Sequence, residues 1–167
     1  ELLRRDFDPL GRDSTTLLEG SDYQWSVYTL NLQTDRRKLL SGNLRMRWGG
    51  FYSGKRLNIR GNLNYRIQPY VNFSILADYN HIEMPEGVEN IWLIGPQLEL
   101  TFTDKLFLTT FVQYNDQREN VNLNVRFQWR YKPVSDFFLV YTDNYFPEQL
   151  KIKDRAVVAK FTYWLNI

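Results

Sequence analysis

The chain has no cysteine among its 167 residues, which excludes a disulfide framework and a thiolate metal site and leaves the redox compartment open. It also lacks a long apolar run. The longest is Phe137-Phe138-Leu139-Val140-Tyr141, against the ~20 apolar residues that a membrane-crossing helix needs. Charge of one sign is scarce too: 21 Lys and Arg face 19 Asp and Glu, a net of +2. The cations alternate along the chain instead of clustering, so no nucleic-acid partner is expected. Segments of helical period are missing between the apolar stretches, which excludes a parallel sheet with crossover helices. The chain starts at Glu1 with neither Met nor a signal peptide, and is expected to be a processed product or a fragment. Aromatic residues are abundant instead, at 16%, too many for a disordered chain. A mean hydropathy of −0.48 argues against a helical membrane protein but not against a membrane barrel, whose signature is alternation.

Alternation is what the chain has from Tyr23 onward. Val121, Leu123, Val125, Phe127, Trp129 and Tyr131 take the odd positions of one run, and Asn122, Asn124, Arg126, Gln128, Arg130 and Lys132 the even ones. An unbroken period of 2 over this length belongs to a strand. Leu57, Ile59, Gly61, Leu63, Tyr65 and Ile67 alternate in the same way with Asn58, Arg60, Asn62, Asn64, Arg66 and Gln68. The full pattern predicts nine strands, at 23–34, 38–52, 55–68, 71–83, 91–102, 105–116, 121–132, 136–146 and 155–167, joined by turn chemistry such as Gln68-Pro69-Tyr70 and Pro133-Val134-Ser135. Residues 1–22 hold three arginines against six acids and show no period, so they read as an irregular outer loop segment ahead of the strands of 23–167.

Three features favour an apolar face turned to lipid. The opposite face is rich in Asn, Gln and Arg, which can hydrogen-bond across a lumen, and poor in Lys–Glu pairs. Trp48, Tyr52, Tyr65, Tyr70, Trp92, Trp129, Tyr131 and Tyr163 fall near strand ends, as interface aromatics do. The runs also exceed the 5–6 residues usual in globular strands and reach the ~9–11 needed to cross a bilayer at a tilt. The expected fold is an all-β, antiparallel, up-and-down transmembrane β-barrel in a Gram-negative outer membrane, with its lipid as partner. Links 84–90, 116–120 and 147–154 read longer than the alternate ones, which would put the C-terminus in the periplasm. Nine is an odd count where single-chain bacterial barrels are even. The chain is therefore expected to be the C-terminal part of a larger barrel, with its edges met by the remainder of its own barrel or by other outer-membrane subunits.

Charged residues expected on the lumen side are Arg45, Arg47, Arg60, Arg66, Asp78, Glu99, Arg126, Arg130, Lys132 and Lys160. Their surplus of cations suits an anion-preferring passage, or a wall knitted by hydrogen bonds to Asn and Gln. His81, the single histidine, would be the base of an outer-membrane hydrolase, but Ser74, its nearest serine, falls on the other face, and a loop histidine is the simpler reading. Asp78, Glu83, Glu86 and Glu89 lack the spacing of a calcium loop and read as solvated acids. No catalytic residue, metal or cofactor is assigned.

Several runs carry a resemblance: Trp92-Leu93-Ile94-Gly95-Pro96, Thr109-Thr110-Phe111-Val112-Gln113-Tyr114-Asn115, Arg126-Phe127-Gln128-Trp129-Arg130-Tyr131, Leu139-Val140-Tyr141-Thr142-Asp143-Asn144 and Lys160-Phe161-Thr162-Tyr163-Trp164-Leu165. Together they resemble the C-terminal barrel region of a Bacteroidetes outer-membrane family of unknown function. Its members carry an N-terminal domain similar to carbohydrate-binding modules of family 9. The resemblance spans about 23–167 and is strongest over 91–167. It implies a barrel that serves as membrane anchor and/or passage for a larger surface protein linked to glycan handling, and it brings no catalytic residues.

Overall fold

The computed structural model describes Leu17, residues 20–148 and residues 151–165. Most of the segment expected to be irregular, 1–22, lies outside them. Nine strands form one antiparallel sheet in chain order: β1 (Val27–Gln33), β2 (Leu40–Phe51), β3 (Gly54–Ile67), β4 (Val71–Met84), β5 (Gly87–Thr103), β6 (Leu106–Asn115), β7 (Asn120–Lys132), β8 (Ser135–Phe146) and β9 (Lys151–Phe161). No helix occurs among the described residues. Each strand pairs with the next through a hairpin, as the alternation and turn residues predict. The sheet is not closed: β1 pairs only with β2, and β9 only with β8.

Strand ends depart from the sequence reading where backbone pairing runs on past side-chain alternation. β5 begins at Gly87, because Gly87 to Asn90 pair with Met84 to His81 and leave Pro85-Glu86 as a two-residue turn. β9 begins at Lys151 and ends at Phe161; beyond it Thr162 N still donates to the Asp136 carbonyl and Trp164 N to Ser135 Oγ. The links at the Pro85 end are therefore 52–53, 85–86, 116–119 and 147–150, and those at the Pro69 end are 34–39, 68–70, 104–105 and 133–134. The longer links expected at the Pro85 end are not there, so the orientation drawn from them does not stand.

A one-layer sheet buries little. The buried apolar side chains are Leu17, Ile82 and Met84, with Tyr23, Phe51, Tyr52 and Ile91 packed against them at the Pro85 end. Gly49 is glycine for a steric reason: its φ is +148° and a Cβ there would collide with the Ser26 carbonyl on the chain entering β1.

Candidate functional site

Residues opposite one another in a ladder share a face, so the register sorts the whole sheet. One face carries rows such as Leu30, Met46, Ile59, Tyr79 and Trp92, or Ile67, Val71, Leu100, Leu108, Phe127, Leu139 and Ala159. Its large side chains stand exposed: Leu63 is 55% accessible, Trp129 48% and Val157 65%. An uncovered apolar surface running across nine strands is the feature a water-soluble sheet would have to hide.

The other face is polar and bonded to itself. Asn58 Nδ2 donates to Asp78 Oδ1 (2.6 Å) and Asn80 Oδ1 (3.0 Å), and Arg56 Nη2 reaches that same Asn80 oxygen at 2.5 Å. Further along, Asn72 donates to Glu99 (2.9 Å), Asn122 to Asn144 (2.8 Å), Asn124 to Thr142 (2.9 Å) and Gln128 to Asp136 (3.0 Å). Amides, carboxylates and a hydroxyl thus bond across β3–β4, β4–β5 and β7–β8, while Asn62 Oδ1 and Asn72 Oδ1 are buried with no partner among the described residues.

The register places Arg45, Arg47, Arg60, Arg66, Asp78, Glu99, Arg126, Arg130 and Lys160 on this polar face. Lys132 follows a bulge that ends the alternation of β7, and its ammonium lies 5.4 Å from the Tyr163 ring centroid. Charge is unevenly spread. On β2–β4 the polar face carries Arg45, Arg47, Arg56, Arg60 and Arg66 with one carboxylate, Asp78; on β5–β9 it carries Arg126, Arg130, Lys151 and Lys160 with Glu89, Glu99, Asp136 and Asp154.

Of the aromatics singled out in the sequence, Trp48 and Trp92 sit on the apolar face toward the Pro85 end, in contact with Tyr28 and Tyr79 (ring centroids 6.0 and 4.3 Å apart). Tyr65, Trp129 and Tyr131 sit toward the other end, where Tyr131 stacks on Phe161 at 5.2 Å, and Tyr70 occupies the turn after Pro69. Tyr52 departs from the interface position expected of it: its backbone takes φ +52° and its ring packs against Tyr23, Trp25 and Phe51 beside the small core.

The apolar face holds an ion pair that sequence reasoning missed, Asp143 with Arg155. Asp143 is wholly buried, and its Oδ2 accepts from Tyr141 OH (2.5 Å), Tyr145 OH (2.5 Å), Arg155 Nε (2.8 Å) and Arg155 Nη2 (2.7 Å). Its Oδ1 is buried without a partner. The shield comes from its own neighbours on β8 and β9, since no second layer covers the sheet. Parity was the available signal: Asp143 shares odd positions with Phe137, Leu139, Tyr141 and Tyr145, and Arg155 with Val157, Ala159 and Phe161.

No family model, curated protein or solved structure matches the chain. The site therefore has to be read from its own chemistry. His81 lies on the apolar face, its Nδ1 2.8 Å from Asn90 Oδ1, which also accepts from Tyr79 OH. Asp78, Glu83 and Glu89 do not converge: Asp78 and Glu89 are on the polar face and Glu83 is on the apolar one, opposite Lys55. Among the described residues no three His, Cys, Asp or Glu gather as a metal site. The arrangement offers a hydrogen-bonding wall lined with guanidinium groups, backed by an apolar surface.

Proposed function

We propose that the chain spans a Gram-negative outer membrane as part of a β-barrel, with its apolar face on lipid and its polar face lining the interior. It would serve there as membrane anchor and/or passage for a larger surface protein. The observation that carries this reading is the division of faces: exposed leucine, valine and aromatic side chains on one, cross-bonded Asn, Gln, Asp and Glu on the other. In lipid that division satisfies both surfaces, whereas in water it leaves the larger apolar one uncovered.

Strand direction supports a barrel larger than these nine strands. β1 and β9 both run from the Pro85 end to the Pro69 end, so pairing them directly would be parallel. An all-antiparallel closure takes an odd number of further strands, from the rest of the polypeptide or from another outer-membrane subunit. Closure of some kind is required in lipid, where unpaired backbone groups cost several kcal/mol each. The link to glycan handling rests on the resemblance of the C-terminal strands alone.

Because the chain has no cysteine, single introduced cysteines report without background. In lipid vesicles a water-borne thiol reagent should label Asn124→Cys and spare Phe127→Cys. Equal labelling of the two in a chain that inserts would overturn the spanning reading. A second reading, an anion-preferring channel, is favoured by the arginines of β2–β4. Planar-bilayer recording separates it from a closed anchor: anion-selective current supports the channel, and no current above background removes it.

A further inference from the structure

The arginines of the polar face are arranged, not merely numerous. They fall into three pairs, two along β2 and β3 and one in which Arg36 of the 34–39 link joins Arg66 of β3. Toward the Pro85 end Arg47 and Arg56 line a hollow of about 120 Å³ with Asn58, walled by Trp25 and Phe51. In the middle Arg45 and Arg60 stand directly opposite each other in the ladder. Toward the Pro69 end Arg36 and Arg66 line a hollow of about 290 Å³ with Asn43, Asn62 and Asn64. No carboxylate lines either hollow. From Arg56 to Arg66 the track covers about 34 Å of strand at ~3.4 Å per residue.

Like charges placed opposite in a ladder oppose folding. Here the protein answers them mostly with neutral groups. Arg45 Nε donates to Asn31 Oδ1 (2.9 Å), Arg56 to Asn80, and Arg66 Nη2 to the Arg36 carbonyl (2.8 Å). Among the described residues only Arg60 has a carboxylate within ion-pair range, Asp78 at 3.9 Å. Elsewhere the chain pairs arginine with acid without difficulty, as Arg130–Asp136 and Arg155–Asp143 show. Among the described residues the guanidinium charge of β2–β3 thus meets one carboxylate, Asp78.

We propose that this wall binds phosphoryl groups, and that a phosphate-bearing solute steps along it from pair to pair. The planar fork of arginine matches the oxygens of a phosphate in paired hydrogen bonds, and the intervening asparagine amides can donate to the same oxygens. Spaced pairs with one carboxylate among them, Asp78 at 3.9 Å from Arg60, suit a solute that must bind and then leave. The inference rests on the polar face lining the proposed passage and names what that passage takes.

The test is titration calorimetry on the detergent-solubilised chain at low salt, with inorganic phosphate, glucose 6-phosphate and neutral maltotriose as probes. Binding of either phosphate and not of maltotriose is the expected result; the tighter of the two tells whether free phosphate or a phosphate ester is the source. Arg45→Gln/Arg60→Gln should weaken binding at least tenfold, and Arg47→Gln/Arg56→Gln serves in its place if circular dichroism shows the first variant unfolded. Lys105→Gln/Arg118→Gln removes the same charge from turns and should leave affinity unchanged. Equal weakening by the turn variant would reduce the effect to net charge and overturn the proposal. So would no phosphate binding by a chain that inserts into vesicles, which leaves the spanning reading intact. Phosphate binding by a chain whose Asn124→Cys and Phe127→Cys variants label equally supports the phosphoryl wall and removes the membrane reading instead.

Discussion

Two ends of the same sheet treat arginine in opposite ways. On β8 and β9 Arg155 is spent on a single carboxylate, Asp143, together with two tyrosine hydroxyls, and on β7 and β8 Arg130 meets Asp136 at 3.5 Å. On β2 and β3 the arginines meet amides, a carbonyl and one another, with one carboxylate, Asp78, at 3.9 Å from Arg60. The contrast teaches that charge in this chain has two uses. Where it is paired it fixes strand to strand, and it does so even on the apolar face, where one Asp143 oxygen gathers four hydrogen bonds. Where it is unpaired it is kept at some cost to the fold and is available to something else.

Breaking the paired end should have the largest effect. Asp143→Leu strands Arg155 and two hydroxyls beside apolar neighbours, and should lower the denaturant midpoint in lipid vesicles more than any other change considered. Asp143→Asn should retain part of the loss, since the amide oxygen can still accept from the tyrosines. Next comes Phe127→Arg, whose row neighbours Leu108 and Leu139 are all apolar. It should cost ~2–4 kcal/mol by the same measurement if that face meets lipid, and Asn124→Arg much less. Leu123 is the poorer probe, because it lies opposite Asp143 and an introduced arginine would meet a carboxylate. Arg130→Gln removes a half-exposed pair and should cost less than ~1 kcal/mol. The smallest change should have the opposite sign. Arg45→Gln relieves a like-charge pair and should stabilise by ~0.2–1 kcal/mol while weakening phosphate binding. A loss of stability there would make Arg45 structural and erase the difference between the two ends.

Much of the sheet was legible because alternation is a local property. β3 and β7 read out residue by residue, and the register then set Arg60 against Asp78 and Arg126 on the same face as Glu99 without altering either assignment. What escaped was whatever depends on a neighbour remote in sequence. Lys151 to Asp154 look like loop by composition, yet they pair with Phe146 to Asn144 because a strand's backbone bonds are indifferent to its side chains. Arg56 was not singled out, although its register matches that of Arg60. Arg36 looked like turn chemistry, and only the fold of the link onto β3 brings it beside Arg66. The tie between Asp143 and Arg155 was the least visible. Asp143 and Arg155 are 12 residues apart on different strands, and only the β8–β9 register sets them opposite each other.

The small core at the Pro85 end bears on traffic through the sheet's interior. Leu17, Ile82, Met84 and Phe51 gather on the side that carries the arginines, above Arg47 and Arg56, while the opposite end of that wall opens on Arg36 and Arg66 with no such cover among the described residues. The two mouths are unlike. An anion arriving at the Pro69 end meets guanidinium at once, and one arriving at the Pro85 end must first pass a knot of hydrocarbon. A current carried along this wall would rectify, and its preferred direction would say which mouth faces the cell.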